Sequence, residues 1–463
     1  TMSSMSPESD TPTAPSRRDF MKSAAVAASA LSMPHFIRAH QSDSPANKLN
    51  IACIGVGGKG KGDTQEAALY GNIVALCDVD FEGDATISVE RHPGVPLFTD
   101  YREMFDKMGD DIDAVTVTTP DHSHYPALMM AMALGKHVFS KKPLTNNIWE
   151  ARQLLLASRH YGVTTQMGIQ GHTYEGMRLM REWVEADAIG DVTQVRYWTN
   201  RPIWPQDPSV DFAPTPKPDH VNWDMWQGGI APTRAFSAGL HPKKWRASWE
   251  YGCGALGDIG CHLFDAAFWS FNLGVPDEVV VDAVTPFTDE VAPANSLIRY
   301  KFTKDNQGQS LREPIEFVWS DGDLRPPRPS ELQDGVDLDE QFGQIVTGTK
   351  GKIYSPGGYC QSLRLIPREA MMDFKRPAKT YPRVKGGPVK EWVDAIKDGT
   401  QPGANFEYAS RLTEVVLLGN LAIRLGKPVQ WDSANLRVIG QPEADPMIRR
   451  GYREGWEFPI FKA

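Results

Sequence analysis

Residues 49–80 constrain this chain more than any other stretch. An apolar run ends at Ile54, and Gly55, Gly57 and Gly60 follow in G-x-G-x-x-G register. A polar stretch with helical spacing runs over 63–70, and a second apolar run, 73–77, ends on Asp78. Strand, glycine turn, helix, strand and acid make a dinucleotide-binding βαβ unit. Gly55 permits a tight turn out of the strand. Gly57 opens the backbone to a pyrophosphate, and Gly60 lets the helix lie close to the sheet. Val56, Gly58 and Lys59 complete the turn, and the helix N-terminus offers free N–H groups to phosphate. Asp78 can accept hydrogen bonds from ribose hydroxyls and repels a 2′-phosphate, which favours NAD. Lys59 and Lys61 leave NADP open.

A chain of 463 residues is too long for one ordinary core. Three segments fit it: 1–46, 47–172 and 173–463. Its 41% hydrophobic and 23% charged residues are those of a globular protein, and a net charge of −9 argues against a nucleic-acid surface. Arg17 and Arg18 precede Phe20 and a mildly apolar stretch over 23–33. That pattern reads as a twin-arginine export signal, too short to be an integral membrane segment, and places the mature protein in the periplasm or on the cell surface. The five cysteines form no C-x-x-C pair; Cys53 and Cys77 fall in predicted strands and read as core.

Beyond the first unit, a strand over 114–119 stops at Pro120, with Asp121, His122 and His124 at its carboxyl end. Open parallel sheets bind ligands there, so Thr119, Pro120 and His124 are site candidates, while His122 is expected to face solvent. A strand over 137–140 delivers Lys141 and Lys142, and Pro143 stiffens the chain so that Lys142 points into the cleft. A helix over 148–161 and a strand over 164–166 complete a doubly wound domain that ends near His172. Segment 201–247 is rich in proline and tryptophan, and a loop of that length reads as a binding loop. Arg201 and His172 are candidate substrate ligands, and Trp204, Trp245 and Trp249 offer flat faces suited to a pyranose. Later strands without intervening helices imply an antiparallel sheet.

The second strong signal is the glycine-rich stretch 251–265, read as a close-approach loop before a helix over 264–273. Asp258 and His262 stand at i, i+4 spacing and share a face on a helical turn. A carboxylate beside an imidazole orients it as a proton carrier. The spacing matches no zinc motif, so no metal is assigned.

On these residues the chain resembles the Gfo/Idh/MocA family, the glucose–fructose oxidoreductase and inositol dehydrogenase group. The carriers are Gly55-x-Gly57-x-x-Gly60, Asp78, Thr119-Pro120-Asp121-x-x-His124, Lys142-Pro143 and Asp258-x-Gly260-x-His262-x-x-Asp265. The resemblance implies an α/β fold: a Rossmann domain followed by an α/β domain with a large open, mainly antiparallel sheet that mediates a homodimer or homotetramer. It implies hydride transfer between a nicotinamide cofactor and a sugar or cyclitol carbinol, with Lys142 beside the reacting hydroxyl and His262 as acid/base. One departure stands out: the family's glutamate before that lysine is Lys141 here, at a position that ordinarily helps hold the nicotinamide ribose. Exported members of this kind resemble enzymes that keep NAD bound through a turnover. Two rivals stay open: a glycoside hydrolase or lyase acting through a transient keto-sugar, and a non-catalytic sugar- or cofactor-binding protein.

Overall fold

The computed structural model describes residues 48–462; the twin-arginine segment lies outside the described residues. The first half is a parallel sheet of six strands: β1 (Asn50–Ile54), β2 (Asn72–Cys77), β3 (Leu97–Phe98), β4 (Ala114–Val117), β5 (His137–Ser140) and β6 (Thr165–Met167). Their order is β3-β2-β1-β4-β5-β6, so the winding reverses between β1 and β4 and opens a crevice at their carboxyl ends. Every residue of β4 is buried, and so are Ile51 to Ile54 of β1, as a sheet covered on both faces requires.

Helix α1 (Gly60–Tyr70) starts on the third glycine itself. A Cβ at Gly60 would stand 1.9 Å from Gly55 O, and one at Gly55 would stand 2.4 Å from Thr118 O. Gly55 also has φ +77°, a left-handed conformation that side chains resist. These two positions admit only glycine. Gly57 has more room: the nearest atom to its notional Cβ is Ala85 N at 3.3 Å.

The second half is a nine-stranded sheet. Its members are β7 (Val192–Thr199), β8 (Glu278–Val284), β9 (Ser296–Lys304), β10 (Ser310–Ser320), β11 (Phe342–Gly348), β12 (Lys352–Pro356), β13 (Arg364–Ile366), β14 (Val429–Asp432) and β15 (Arg437–Val438). The order is β13-β12-β11-β7-β10-β9-β8-β14-β15, antiparallel except where β7 and β10 run parallel. The expected α/β architecture is thus present, with both sheets in the expected sense.

Helix α2 (Gly254–Ser270) and helix α4 (Phe406–Leu425) pack on the inner face of this sheet. The α2 span corrects the reading of 251–265 as a loop and of the helix as 264–273. Gly254 begins it in a left-handed conformation, φ +61°, and Gly260 is a packing position, where a Cβ would stand 3.1 Å from Val416 Cγ1 on α4. Asp258 and His262 therefore sit on a buried helix, one turn apart.

Helix α3 (Gly387–Asp398) returns to the first sheet, although it lies far beyond residue 172. Trp392 is fully buried with its ring centroid 5.7 Å from that of Phe139, in a core shared with Ile51 and Cys53. Segment 201–247 forms a strap with an aromatic core of its own, in which Trp223 and Trp226 stack at 4.4 Å. The strap is tied across the crevice mouth to the first half: Asn222 N donates to Val79 O at 2.9 Å, His241 Nε2 lies 3.1 Å from Asp80 Oδ2, and Lys243 pairs with Asp84 at 3.2 Å. No helix among the described residues is long and apolar enough to cross a membrane.

Candidate active site

A cleft of about 600 Å³ runs from the glycine turn, past Lys142, to Asp258 and His262, with the strap as its far wall. Both halves of the molecule contribute. From the first come residues at the carboxyl ends of β1, β2, β4 and β5; from the second come α2, the strap and Tyr359.

Lys142 Nζ donates to Asp258 Oδ1 at 3.1 Å and to the Asp258 backbone carbonyl. Arg246 Nε donates to the same Oδ1 at 3.3 Å. Burial by itself raises the Asp258 pKa, but the charges of Lys142 and Arg246 outweigh it and bring the carboxyl down to about 2. Asp258 is therefore a fixed anion that aims two cations into the cleft. His262, one helical turn on, lines the same cleft. Its Nδ1 is buried and without a partner, and Tyr359 meets the ring edge-on at 4.8 Å. Burial first, and then the Lys142 charge, hold its pKa well below the ordinary imidazole value. The ring is neutral and ready to accept a proton. Asp258 was expected to orient His262; the structure gives its carboxylate to Lys142 and Arg246 instead, because the strap carries Arg246 to the same oxygen.

Three cleft residues escaped the sequence reading of the site. Arg246 adjoins the singled-out Trp245, with no local signal of its own. Asp121 belonged to a quoted motif, yet only burial beside Lys142, Arg246 and Asp258 makes it chemically unusual. Burial, with Asp258 adding to it and the two cations opposing it, pushes the Asp121 carboxyl up to about 7. Tyr359 follows β12 with no local signal at all.

At the other end of the cleft, Asp78 Oδ2 accepts from Val56 N at 2.8 Å and Gly57 N at 3.0 Å, and Oδ1 accepts from Asp80 N at 3.1 Å. Asp78 thus braces the glycine turn while lining the cleft, and burial raises its pKa. The residues fit a dinucleotide on three observations. The space above Gly58 is open, since nothing lies within 4 Å of its notional Cβ. Lys59 and Pro120 line the cleft. Thr119 Oγ1 is buried without a partner.

Lys141 lines the cleft but is anchored from behind. Its Nζ pairs with Asp63 Oδ1 at 2.8 Å, Lys59 Nζ reaches the same oxygen at 2.7 Å, and Thr118 Oγ1 donates to Asp63 Oδ2 at 3.1 Å. Burial lowers the Lys141 pKa and the Asp63 charge counters it.

Several candidates require correction. His124 borders the cleft as expected, but its ring is buried, with Nδ1 3.1 Å from Pro143 O and Nε2 2.8 Å from Thr119 O. It pins the two loops that carry Thr119 and Lys142, and burial takes its pKa down to about 4. His122 does not face solvent: it is buried between Tyr251 O at 3.2 Å and Trp226 O at 2.6 Å. His172 lies outside the cleft lining, buried against Asp265 Oδ1 at 2.8 Å. Trp204 packs in the strap and donates to Gln206 Oε1 at 2.9 Å. Trp249 donates to Thr288 O at 3.1 Å and lines a different cavity. Of the proposed sugar ligands only Arg201 and Trp245 line the cleft, and the Arg246 guanidinium lies 4.4 Å over the Trp245 ring.

Three family models cover most of the described chain. Residues 49–169 match "Oxidoreductase family, NAD-binding Rossmann fold", residues 177–309 the GFO/IDH/MocA C-terminal domain, and residues 331–458 "Oxidoreductase family, C-terminal alpha/beta domain". The chain belongs to the GFO/IDH/MocA oxidoreductase family, and its first domain is the family's NAD-binding domain.

Among curated relatives, levoglucosan dehydrogenase of Pseudarthrobacter phenanthrenivorans is 25% identical over 169 residues, 36% of this chain and 35% of that protein. Inositol 2-dehydrogenase of Pseudomonas fluorescens is 25% identical over 171 residues, 36% of this chain and 50% of that protein. The chain thus matches about a third to a half of these relatives' length. Among solved structures, the aldose–aldose oxidoreductase of Caulobacter crescentus superposes with a TM-score of 0.56 at 18% identity, over 83% of this chain and 100% of that one, which establishes the shared fold.

Proposed function

We propose that this protein transfers hydride between a nicotinamide cofactor and a hydroxyl-bearing carbon of a sugar, glycoside or cyclitol, with NAD preferred over NADP. The observation that carries the reading is that Lys142 and His262, from opposite halves, line one cleft with the dinucleotide turn. The two relatives named as dehydrogenases of levoglucosan and inositol support this class of substrate.

In the oxidative direction, neutral His262 accepts the hydroxyl proton. Lys142, held by Asp258, stabilises the negative charge that develops on the oxygen. A dinucleotide would be held by Gly55–Gly60, Asp78, Thr119 and Pro120, and its nicotinamide would supply the hydride acceptor. Arg201 and Arg246 are placed to hold the substrate's other oxygens. A panel of sugars and cyclitols followed at the NADH absorbance, with Lys142→Ala as control, tests the reading. Turnover with none of them, or full turnover in Lys142→Ala, would remove it.

The strap supports a cofactor that stays bound, since it is tied to Asp80 and Asp84 over the crevice. Denaturing the purified protein and identifying the dinucleotide released checks this. A second reading, glycoside cleavage through transient oxidation, is favoured by Asp121, a buried carboxyl that holds its proton up to about 7 and could protonate a leaving oxygen. Release of free sugar without net NADH would identify it. Export by the twin-arginine route rests on Arg17 and Arg18 alone. Assembly into a dimer or tetramer rests on the breadth of the nine-stranded sheet, and sedimentation would test it.

A further inference from the structure

We infer that a second cavity, separate from the cleft, is a binding site for a monosaccharide-sized carboxylate, that is, a uronate or aldonate. The cavity holds about 320 Å³ and shares no lining residue with the cleft. It forms where distant segments meet: Asn146 and Asn147 after β5, Trp249 at the end of the strap, Arg424 in the last turn of α4, and Arg450 near the C-terminus.

Its chemistry is an excess of unmet donors. Arg424 is more than half buried, its guanidinium lies 5.7 Å from the Trp249 ring, and among the described residues it makes no hydrogen bond or ion pair. The Asp289 charge acts on it only from beyond ion-pair distance, whereas the other cations are balanced at shorter range. Arg234 has Glu290 at 3.5 Å and Glu250 at 4.0 Å, and Arg450 has Glu150 at 3.5 Å. Asn147 is 5% exposed and its Nδ2 is buried without a partner. A buried donor left without an acceptor is costly, and a guanidinium grips a carboxylate with two parallel bonds. A carboxylate would answer the Arg424 guanidinium.

The rim narrows the ligand further. Glu250, Asp289 and Glu290 line the same cavity. Their oxygens accept from hydroxyl groups and repel additional negative charge. A phosphate or a dicarboxylate, with its second negative charge, meets more of that repulsion than a hydroxylated monocarboxylate does. The site is independent of the proposed turnover, because no cleft residue takes part in it.

Calorimetric titration of the full chain with D-glucuronate, D-glucose and inorganic phosphate tests the inference, using the wild type, Lys142→Met, Arg424→Gln and Arg424→Lys. Glucuronate is expected to bind the wild type and Lys142→Met equally. Affinity should fall at least about tenfold in Arg424→Gln and about two- to fivefold in Arg424→Lys, whose ammonium lacks the two-pronged grip. Thermal unfolding of each variant reports its fold, and Arg424→Lys serves if Arg424→Gln does not fold. The inference is overturned if glucuronate gives no heat up to millimolar concentration, if binding disappears in Lys142→Met, if folded Arg424 variants bind as the wild type does, or if glucose or phosphate binds as well as glucuronate.

Discussion

Lys142 Nζ and Asp258 Oδ1 stand 3.1 Å apart, joining the end of β5 to the first turns of α2 across the cleft. A lysine on a flexible stem is a poor electrostatic catalyst unless something fixes it, because positioning must precede reaction. Asp258 fixes it, and Arg246 shares the same oxygen.

Removing the ammonium should therefore stop chemistry while leaving the cofactor in place. Lys142→Ala is expected to lower kcat by about 10²–10³, the usual scale for losing one such donor. The dinucleotide released on denaturation should be unchanged, since Lys142 is not part of the glycine turn. Steady-state rates with the best sugar and quantitation of released dinucleotide check both halves of the expectation.

His262 should respond to the same substitution. The Lys142 charge is one of the causes that depress its pKa, and Asp258 opposes it. In Lys142→Ala the opposing carboxylate remains and the cation is gone, so the imidazole pKa must rise. Proton NMR of the ring should show titration moved to higher pH than in the wild type. An unmoved titration would mean that the two side chains do not share one field.

Asp258 also links stability to pH. Its folded carboxyl titrates at about 2, below the unperturbed 3.8. As pH falls, the unfolded chain takes up this proton first. The contribution is complete above about pH 4 and is lost as pH falls towards 2; its size is about 2 kcal/mol. Asp121 acts in the opposite sense. Its folded carboxyl titrates at about 7, so the native state keeps a proton the unfolded chain has shed, and stability declines between about pH 4 and 7. Urea unfolding across pH should show the gap between wild type and Asp258→Asn closing towards pH 2. Asp121→Asn should gain stability relative to the wild type as pH rises from about 4 to 7, with no further gain above that.

Much of this was legible from spacing, and what was not has physical causes. The glycine turn, Asp78 and Lys142 are local patterns written within a few residues, and the spacing of Asp258 and His262 placed both on one helix but not the partners of Asp258. Gly260 misled, because a helix packed against α4 needs a small residue for the same steric reason a loop does. Two tryptophans misled because an aromatic ring serves a loop's own packing as readily as a sugar: Trp204 packs in the strap and Trp249 lines a different cavity. His124 and His172 read as ligands, yet each is held by buried partners, Pro143 and Thr119 for one and Asp265 for the other. Arg246 and Tyr359 reach the cleft only through long-range folding, which no window of sequence reveals.

Lys141 exemplifies a substitution with its compensation elsewhere in the chain. A cation stands where the resembling family has a glutamate, and the negative charge is supplied by Asp63, buried on α1. Asp63→Asn would leave Lys141 buried without its counter-charge, which typically costs about 3–5 kcal/mol. Asp63→Asn with Lys141→Gln removes both charges and should recover most of that loss. Urea midpoints of the two variants, compared with Lys141→Gln alone, measure the coupling.

The glycine turn permits a prediction that separates folding from cofactor binding. Gly60→Ala places a Cβ 1.9 Å from Gly55 O, a backbone atom that cannot move without dismantling the β1–α1 turn. That variant should be strongly destabilised or fail to accumulate. Gly57→Ala meets nothing closer than 3.3 Å and lies outside the left-handed region, so the fold should survive. Its methyl group nevertheless occupies the face through which a pyrophosphate approaches the backbone. The expected outcome is a thermal midpoint within a few degrees of the wild type, together with loss of most of the dinucleotide recovered on denaturation. A Gly57→Ala protein that keeps its full complement of dinucleotide would show that the cofactor does not lie over this turn, whatever its fold.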